Sequence, residues 1–528
     1  MLKQFSFKEF QFSSPIIRDF VSETSAIKPY CGAFFSLENC LEQTKRKDFK
    51  LEDRKVLVEA LKRQYSQTII TDETHKNISS LLDENTYTIT TGHQLNLMTG
   101  PLYSLYKILQ VITISAKLNQ KGQQHFVPIF WMATEDHDFE EINHLHLYNQ
   151  KISWDKEGQE NLITGAILLD AIEEFHETIS GKFNDERTTE QLKAFLSHYE
   201  SGNNLASATR GLVNQLFGQY GLVIIDGNDE QLKQKFKSIA YAEIENQVTY
   251  KAVSRTNRLL EESGYHQQVY LRNINLFYID DKKKRTRIAL QDDQFSIGDE
   301  SIEKTELLKL LESQPASFSP NALLRPVYQE AVLPNIAYIG GGGEIAYWMQ
   351  IKGVFEALEI PYPLLRVRDS FVLLNDKQVE DMNELGLSLT DLKRDYHELI
   401  KEIALEEVSI DIELDREKAA LKEIEAQLND KVEHINKGLL SMVGAEFTKM
   451  EKSLERIESK MIKAEKSRHE QKGKKIQKLQ DKIYPKGGFQ ERYENFLMYY
   501  FKEEDFINRL YLEMVKSENE PYIRVINA

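Results

Sequence analysis

The chain has 528 residues, of which 83 are acidic and 67 basic, giving a formal net charge of −16. The length exceeds one ordinary core and predicts two or three domains. The charge argues against a protein that covers nucleic-acid phosphates with a basic face, although a local basic pocket stays open. Only Cys31 and Cys40 are cysteines, too few for a four-thiolate zinc site and out of keeping with a disulfide scaffold. With no signal-like start and no apolar run of membrane-spanning length, the expectation is a cytoplasmic protein with reduced thiols.

Residues 1 to about 85 read as helical, with apolar positions at spacings of three and four in Leu51–Tyr65. A first strand is expected at Tyr87–Thr91, a helix at about Pro101–Leu118, and a second strand at about Phe126–Thr134. The second is a nearly unbroken apolar run, as in a parallel sheet buried on both faces. Residues 140–215 resemble an insertion, with a helix near Glu190–Tyr199. Gly221–Asp229 holds another buried strand, ending in Asp226, and Gly264–Ile288 alternates as a hairpin around a charged turn. Leu324–Ile339 then leads into a glycine run, a helix and the strand PYPLLRV. This repeated β-α-β theme predicts an open α/β fold with a mostly parallel, Rossmann-like sheet. The core is expected over 1–375, with insertions at about 140–215 and 230–320.

After Asn375 glycine and proline nearly vanish until Pro485. Two apolar stripes, Leu421 to Met442 and Phe447 to Ala464, predict an α-helical coiled-coil domain over 376–484. Antiparallel arms of about 412–441 and 445–483 would turn at Gly444. The last part, 485–528, is expected to fold back as a helix-rich segment.

Three segments could carry chemistry. In TGHQLNLMTGP, Gly100 and Pro101 suit a helix start whose free N–H groups and dipole favour phosphate. A plain strand–helix turn fits the residues as well. No Walker A motif occurs. In EDHDFEEINHLH, the side chains Glu135, Asp136, His137, Asp138, Glu140, Glu141, His144 and His146 crowd the end of a buried strand. Acid–base work, amine recognition, a metal site and a solvated acidic loop all remain readings of it, though H-x6-H-x-H matches no common metal signature. In GGGGEIAYW, glycines allow close approach of a ligand to the backbone, and Glu344 falls in the first helical turn. Lys107, Arg325, Arg366 and Arg368 are the nearby basic groups. Arg366 and Arg368 share one strand face and could both face solvent.

The motifs TG-x-Q-x5-GPLY (Thr91 to Tyr103), P-x-FW-x-A-x-EDHDF-x-EINH (Pro128 to His144), SPN-x-LLRPV-x-Q-x3-LP-x3-Y-x-GG-x-GEIAYW (Ser319 to Trp348) and P-x-G-x-x-QER (Pro485 to Arg492) resemble the BshC family of bacillithiol biosynthesis. The resemblance implies a core similar to class I aminoacyl-tRNA synthetases, connecting insertions, and a coiled coil that makes a homodimer. It implies a ligase that joins cysteine to the amine of glucosaminyl-malate at the expense of ATP with Mg²⁺. Charge, cysteine count and hydropathy give no expectation of a structural metal, nucleic acid or membrane as partner. Asp136, His137 and Glu344 are then the expected catalytic residues. Thr91, Gly92, His93, Gln94, Thr99, Gly100, Tyr103, Gly341 and Gly343 would hold the nucleotide. Glu135, Asp138, Asn143, Arg325, Tyr338, Tyr347 and Trp348 would hold substrate. In this scheme Asp136 or Glu344 binds the cysteine ammonium, His137 deprotonates the attacking amine, and Arg325 binds phosphate or the malate carboxylates. The chain departs from the family pattern at His93, usually Gln, and at Gly342, often Pro. A nucleotidyltransferase of similar fold and a non-catalytic nucleotide-binding scaffold are the other readings.

Overall fold

The computed structural model describes residues 3–7, 14–406, 414–468, 470–503, 505–517 and 519–527. Residues 412 and 413, the expected start of the first helical arm, lie outside these. The chain forms two compact units, one of Met1–Leu373 with Glu491–Ile526 and one of Leu374–Gln490.

The first unit is organised by five parallel strands: β1 (Thr86–His93), β2 (His125–Met132), β3 (Val223–Asp226), β4 (Asn335–Gly340) and β5 (Leu364–Val367). They lie side by side in the order β5-β4-β1-β2-β3. This is a Rossmann order, and its topological switch point falls between β1 and β4. Both neighbours of β1 are strands, so its threonines need internal partners. The hydroxyls of Thr88 and Thr90 donate to Asn335 Oδ1, and that of Thr91 donates to the Ile339 carbonyl. Helix α1 (Tyr103–Lys121) follows β1, α2 (Arg325–Val332) precedes β4, and α3 (Gly342–Gln350) leaves it.

Between β2 and β3 the chain makes a short hairpin, His144–Leu147 with Gln150–Ser153, and helices that include Leu205–Phe217. Between β3 and β4 it makes helices Glu230–Asn246 and Val248–Glu262 and an antiparallel five-stranded sheet. The hairpin read from the alternation is there, Leu276–Ile279 against Arg285–Gln291. The segment after Glu491 supports the turn between β1 and α1. Asn495 Nδ2 donates to the carbonyls of Met98 and Gly100, and the Leu102 amide donates to the Glu494 carbonyl.

Arg366 and Arg368, read as able to face solvent, are instead 2% and 4% exposed. Arg366 pairs with Asp369, and Arg368 makes a two-toothed contact with Glu491 at 2.8 and 2.5 Å. A strand face is apolar or polar only through what covers it, and here a returning segment supplies the carboxylate.

In the second unit, helices Asp415–Ile435 and Leu440–Arg468 run antiparallel. Lys418 meets Glu458 and Lys422 meets Glu451, so one helix climbs as the other descends. The turn is not at Gly444, which lies inside the second helix. It is at Lys437–Leu439, where Asn436 Oδ1 accepts from the Gly438 amide. A helix tolerates one internal glycine at about 1 kcal/mol, so apolar periodicity overrode the breaker. Among the described residues no helix is long and apolar enough to cross a membrane.

Candidate active site

A cavity of about 700 Å³ opens at the carboxyl ends of β1, β2 and β4. In open α/β sheets ligands bind in the crevice at the switch point, and this cavity occupies it. Six basic side chains line it, Lys107, Arg272, Arg285, Arg325, Arg368 and Arg492, against three acidic ones, Glu135, Asp136 and Glu344. A chain of net charge −16 therefore concentrates positive charge where a ligand would enter.

The wall made by α1 and α3 is one ion pair, its Lys107 end buried and its Glu344 side chain 28% exposed. Lys107 Nζ reaches both Glu344 carboxylate oxygens at 2.8 Å and donates to the Gly92 carbonyl. Glu344 also accepts from the Tyr338 hydroxyl at 3.0 Å and from the Gly341 amide at 2.8 Å. Burial alone would raise the Glu344 pKa, yet Lys107 and these donors hold it below the usual range. Every oxygen of Glu344 is engaged. It shapes the glycine turn, and it has no oxygen left to take the ammonium role read from the sequence.

The opposite wall carries Asp136 and His137. Asp136 is oriented by Gln94, whose Nε2 donates to it at 2.7 Å, and by the His137 amide at 2.8 Å. Arg285 Nη1 lies 3.0 Å from His137 Nδ1. A guanidinium can only donate, so Nδ1 accepts and the neutral ring carries its proton on Nε2. Burial and then the Arg285 charge push the His137 pKa down, which keeps the ring neutral near pH 7. Arg285 is itself fixed by Ser319 Oγ, the Pro320 carbonyl and the Phe277 ring, 4.0 Å beneath it. With Nδ1 occupied and Nε2 protonated, the ring presents an N–H donor at its remaining nitrogen. That differs from the base read from the sequence.

His93 extends from the end of β1 toward Tyr103, the two rings 5.1 Å apart, and its Nε2 is buried without a hydrogen-bond partner. Burial, and then Lys107 beside it, lower its pKa from 6.5 to about 3. The unfolded chain therefore takes up this proton first as pH falls. The stability tied to the neutral ring is intact above about pH 6.5 and is lost progressively toward about pH 3. Between pH 7.5 and 5 the wild type is expected to lose about 2 kcal/mol more than His93→Gln, measured by urea unfolding.

Thirteen of the side chains and glycines expected at the site line this one cavity: Gly92, His93, Gln94, Tyr103, Glu135, Asp136, His137, Arg325, Tyr338, Gly341, Gly343, Glu344 and Tyr347. Six do not. Thr91 bonds β4, and Thr99 and Gly100 form the turn held by Asn495. The Leu102 amide at the start of α1 is likewise taken by Glu494, so that turn is a strut. Asp138 caps the short helix Phe139–Ile142, Asn143 contacts His144, and Trp348 is stacked on Tyr338 at 4.2 Å inside the core. Arg272 and Arg285 were not found from the sequence. Arg285 sits beside the run of lysines at the hairpin turn and reads as part of it, although it occupies an inward phase of the strand alternation.

Gly343 has open space where a Cβ would lie, with nothing within 4 Å. Gly343→Ala is expected to hold or raise stability, since alanine favours a helix by up to about 1 kcal/mol. If the glycine admits a ligand close to the backbone, the same variant raises KM for that ligand several-fold in steady-state kinetics.

A Rossmann-ordered sheet with a basic, imidazole-bearing cavity at its switch point defines a Rossmann-like α/β protein. The chain belongs to the BshC family of bacillithiol biosynthesis. Residues 2–369 match that family's N-terminal Rossmann-like domain and residues 371–524 its C-terminal coiled-coil domain. A candidate cysteine ligase BshC of Flavobacterium johnsoniae is 39% identical over 517 residues, 97% of each chain. One of Christiangramia forsetii is 36% identical over 520 residues, 96% of each chain. A solved structure of a candidate arginyl-tRNA synthetase from Campylobacter jejuni covers 89% of this chain and 99% of its own at 11% identity. Its TM-score of 0.22 is too low to carry an argument.

Proposed function

We propose that this protein is a ligase that joins L-cysteine to the amine of glucosaminyl-malate, forming bacillithiol, with ATP and Mg²⁺ activating the cysteine carboxylate. The observation that supports this most is the cavity itself. It sits where a Rossmann sheet binds nucleotides and is lined by six basic groups, two of which, Lys107 and Arg368, already face Glu344 and Glu491, with Asp136 and the His137 N–H on one wall. In this reading the cysteine carboxylate attacks the α-phosphorus and pyrophosphate leaves. The amine then attacks the acyl carbon and AMP leaves. Asp136, not the saturated Glu344, faces the cysteine ammonium. The Nε2–H of His137 donates where negative charge builds on the phosphoryl oxygens, and such a donor acts most strongly in a low-dielectric site. Arg325 binds phosphate or the malate carboxylates.

The purified protein supplied with cysteine, glucosaminyl-malate and ATP–Mg²⁺ should yield bacillithiol with AMP and pyrophosphate in equal amounts. Absence of both cysteine-dependent pyrophosphate exchange and bacillithiol rejects the proposal. A stable adenylylated product would instead identify a nucleotidyltransferase.

The reaction is placed in the cytoplasm, where Cys31 and Cys40, both free and buried, stay reduced. The helical arms carry the dimer contact in this proposal. Helix Asp415–Ile435 buries no residue, and Ile424, Met442, Met450 and Ile457 are about half exposed. An amphipathic stripe left open in this way is satisfied by a second copy. Met450→Glu with Ile457→Glu is expected to turn a dimer into a monomer in sedimentation equilibrium, and an unchanged mass would remove the arms as the interface.

A further inference from the structure

Arg325 opens α2 and lines the cavity beside Gly92, where an added Cβ would stand 3.7 Å from Nη1. Free arginine side chains carry about 2 kcal/mol of rotamer entropy, so a guanidinium that recognises an anion gains from being held beforehand. Its hold begins with Gln329, whose Oε1 accepts from Arg325 Nη1 at 3.0 Å. Gln329 Nε2 in turn donates to Glu330 Oε1 at 3.0 Å. The same oxygen accepts from Asn335 Nδ2 at 2.7 Å, and Asn335 is itself oriented by Thr88 and Thr90. Lys47 closes the chain. Its Nζ lies 3.5 Å from Glu330 Oε2 and donates to the Glu330 carbonyl at 3.1 Å.

The direction of each bond is forced. A guanidinium only donates and a carboxylate only accepts. The buried amide of Gln329 therefore has one acceptable orientation, oxygen toward Arg325 and nitrogen toward Glu330. Turned over, it would set donor against donor and acceptor against acceptor. The negative charge of Glu330 thus selects the amide orientation that holds Arg325. Burial pushes Glu330 up and Lys47 down, toward neutrality, and each opposes the shift of the other. A buried ion pair of this kind contributes little net stability compared with apolar residues of the same volume. Its distinctive product is orientation, transmitted from the far end of α2 to the cavity.

We propose that Lys47, Glu330 and Gln329 are positioning residues that fix the Arg325 guanidinium for an anionic group of the substrate. What Arg325 binds rests on the function proposed above; that it is held by this chain does not. The test uses full-length Gln329→Met, near in volume and unable to make either bond, and the paired Lys47→Met/Glu330→Met, which removes both charges and the acceptor of Gln329 together. Crystal structures of both should show Arg325 displaced from its place beside Gly92. Kinetically, KM for ATP or glucosaminyl-malate should rise about tenfold with kcat within about twofold, and neither change should add to the loss already caused by Arg325→Met. Arg325 unmoved in Gln329→Met, or effects that multiply with those of Arg325→Met, would overturn the proposal. If Arg325 moves as expected but the wild type makes no bacillithiol, the functional reading falls and the positioning chain stands.

Discussion

Under the proposed mechanism, His137→Ala is expected to lower kcat for bacillithiol formation roughly 100- to 1,000-fold, the usual loss when one donor to a developing oxyanion is removed. KM for cysteine should change little, because in that mechanism the ring acts on the transition state more than on the bound substrate. His137→Gln separates the two possible roles of the ring. A glutamine amide can donate from near the Nε2 position but cannot serve as a base, so it should recover a large part of the activity. Recovery no better than alanine would return the ring to base catalysis. The pH dependence separates the same two roles. Burial and the Arg285 charge lower the His137 pKa below 6.5. An imidazolium keeps its Nε2–H, so a donor role predicts no acid limb of kcat/KM from this ring, whereas a base role predicts one below that value. In Arg285→Met the ring loses its cationic neighbour and its fixed tautomer. Its kcat should fall without an acid limb moving to higher pH, and such a shift in the pH–rate profile would point back to the base role.

Lys107→Met is expected to cost about 2–3 kcal/mol, less than for a fully buried pair, because the Glu344 side chain is 28% exposed and water can reach it. Lys107 is 1% exposed, and its loss leaves the Glu344 carboxylate inside the wall with only the Tyr338 and Gly341 donors. Lys107→Met/Glu344→Gln should recover most of that stability, because no unpaired charge remains. Activity should stay at least about tenfold down in the double variant, since the cavity loses a cation while glutamine can still cap the glycine turn. Urea unfolding beside pyrophosphate exchange distinguishes the two effects. A double variant no more stable than Lys107→Met would show that the pair is not what makes the single change costly.

Much of the site's frame was legible in the sequence because it is local. The run FVPIFWM suits a strand covered on both faces, and the ionisable cluster after it then falls at that strand's end. The glycines before Glu344 mark a turn into a helix, and Glu344 does cap it, accepting from the Gly341 amide. The proposed roles were less legible. Glu344 looks like an available carboxylate until Lys107, 237 residues earlier, is found across from it. His137 looks like a base until Arg285, 148 residues on, occupies Nδ1. The segment Thr99–Gly100 has the composition of a phosphate turn, but the return of Glu494 and Asn495 uses its backbone groups.

By itself the sequence determined the periodicities: a Rossmann-like sheet, a helical coiled coil, and the residues at the carboxyl ends of β1, β2 and β4. These follow from patterns of two and of three to four along the chain, set by backbone geometry within a few residues. Only the tertiary structure decided which polar groups stay open to a ligand. A carboxylate, imidazole or guanidinium acquires its charge state and direction from its nearest partners. Here those partners come from segments hundreds of residues apart, brought together by burial of a common core.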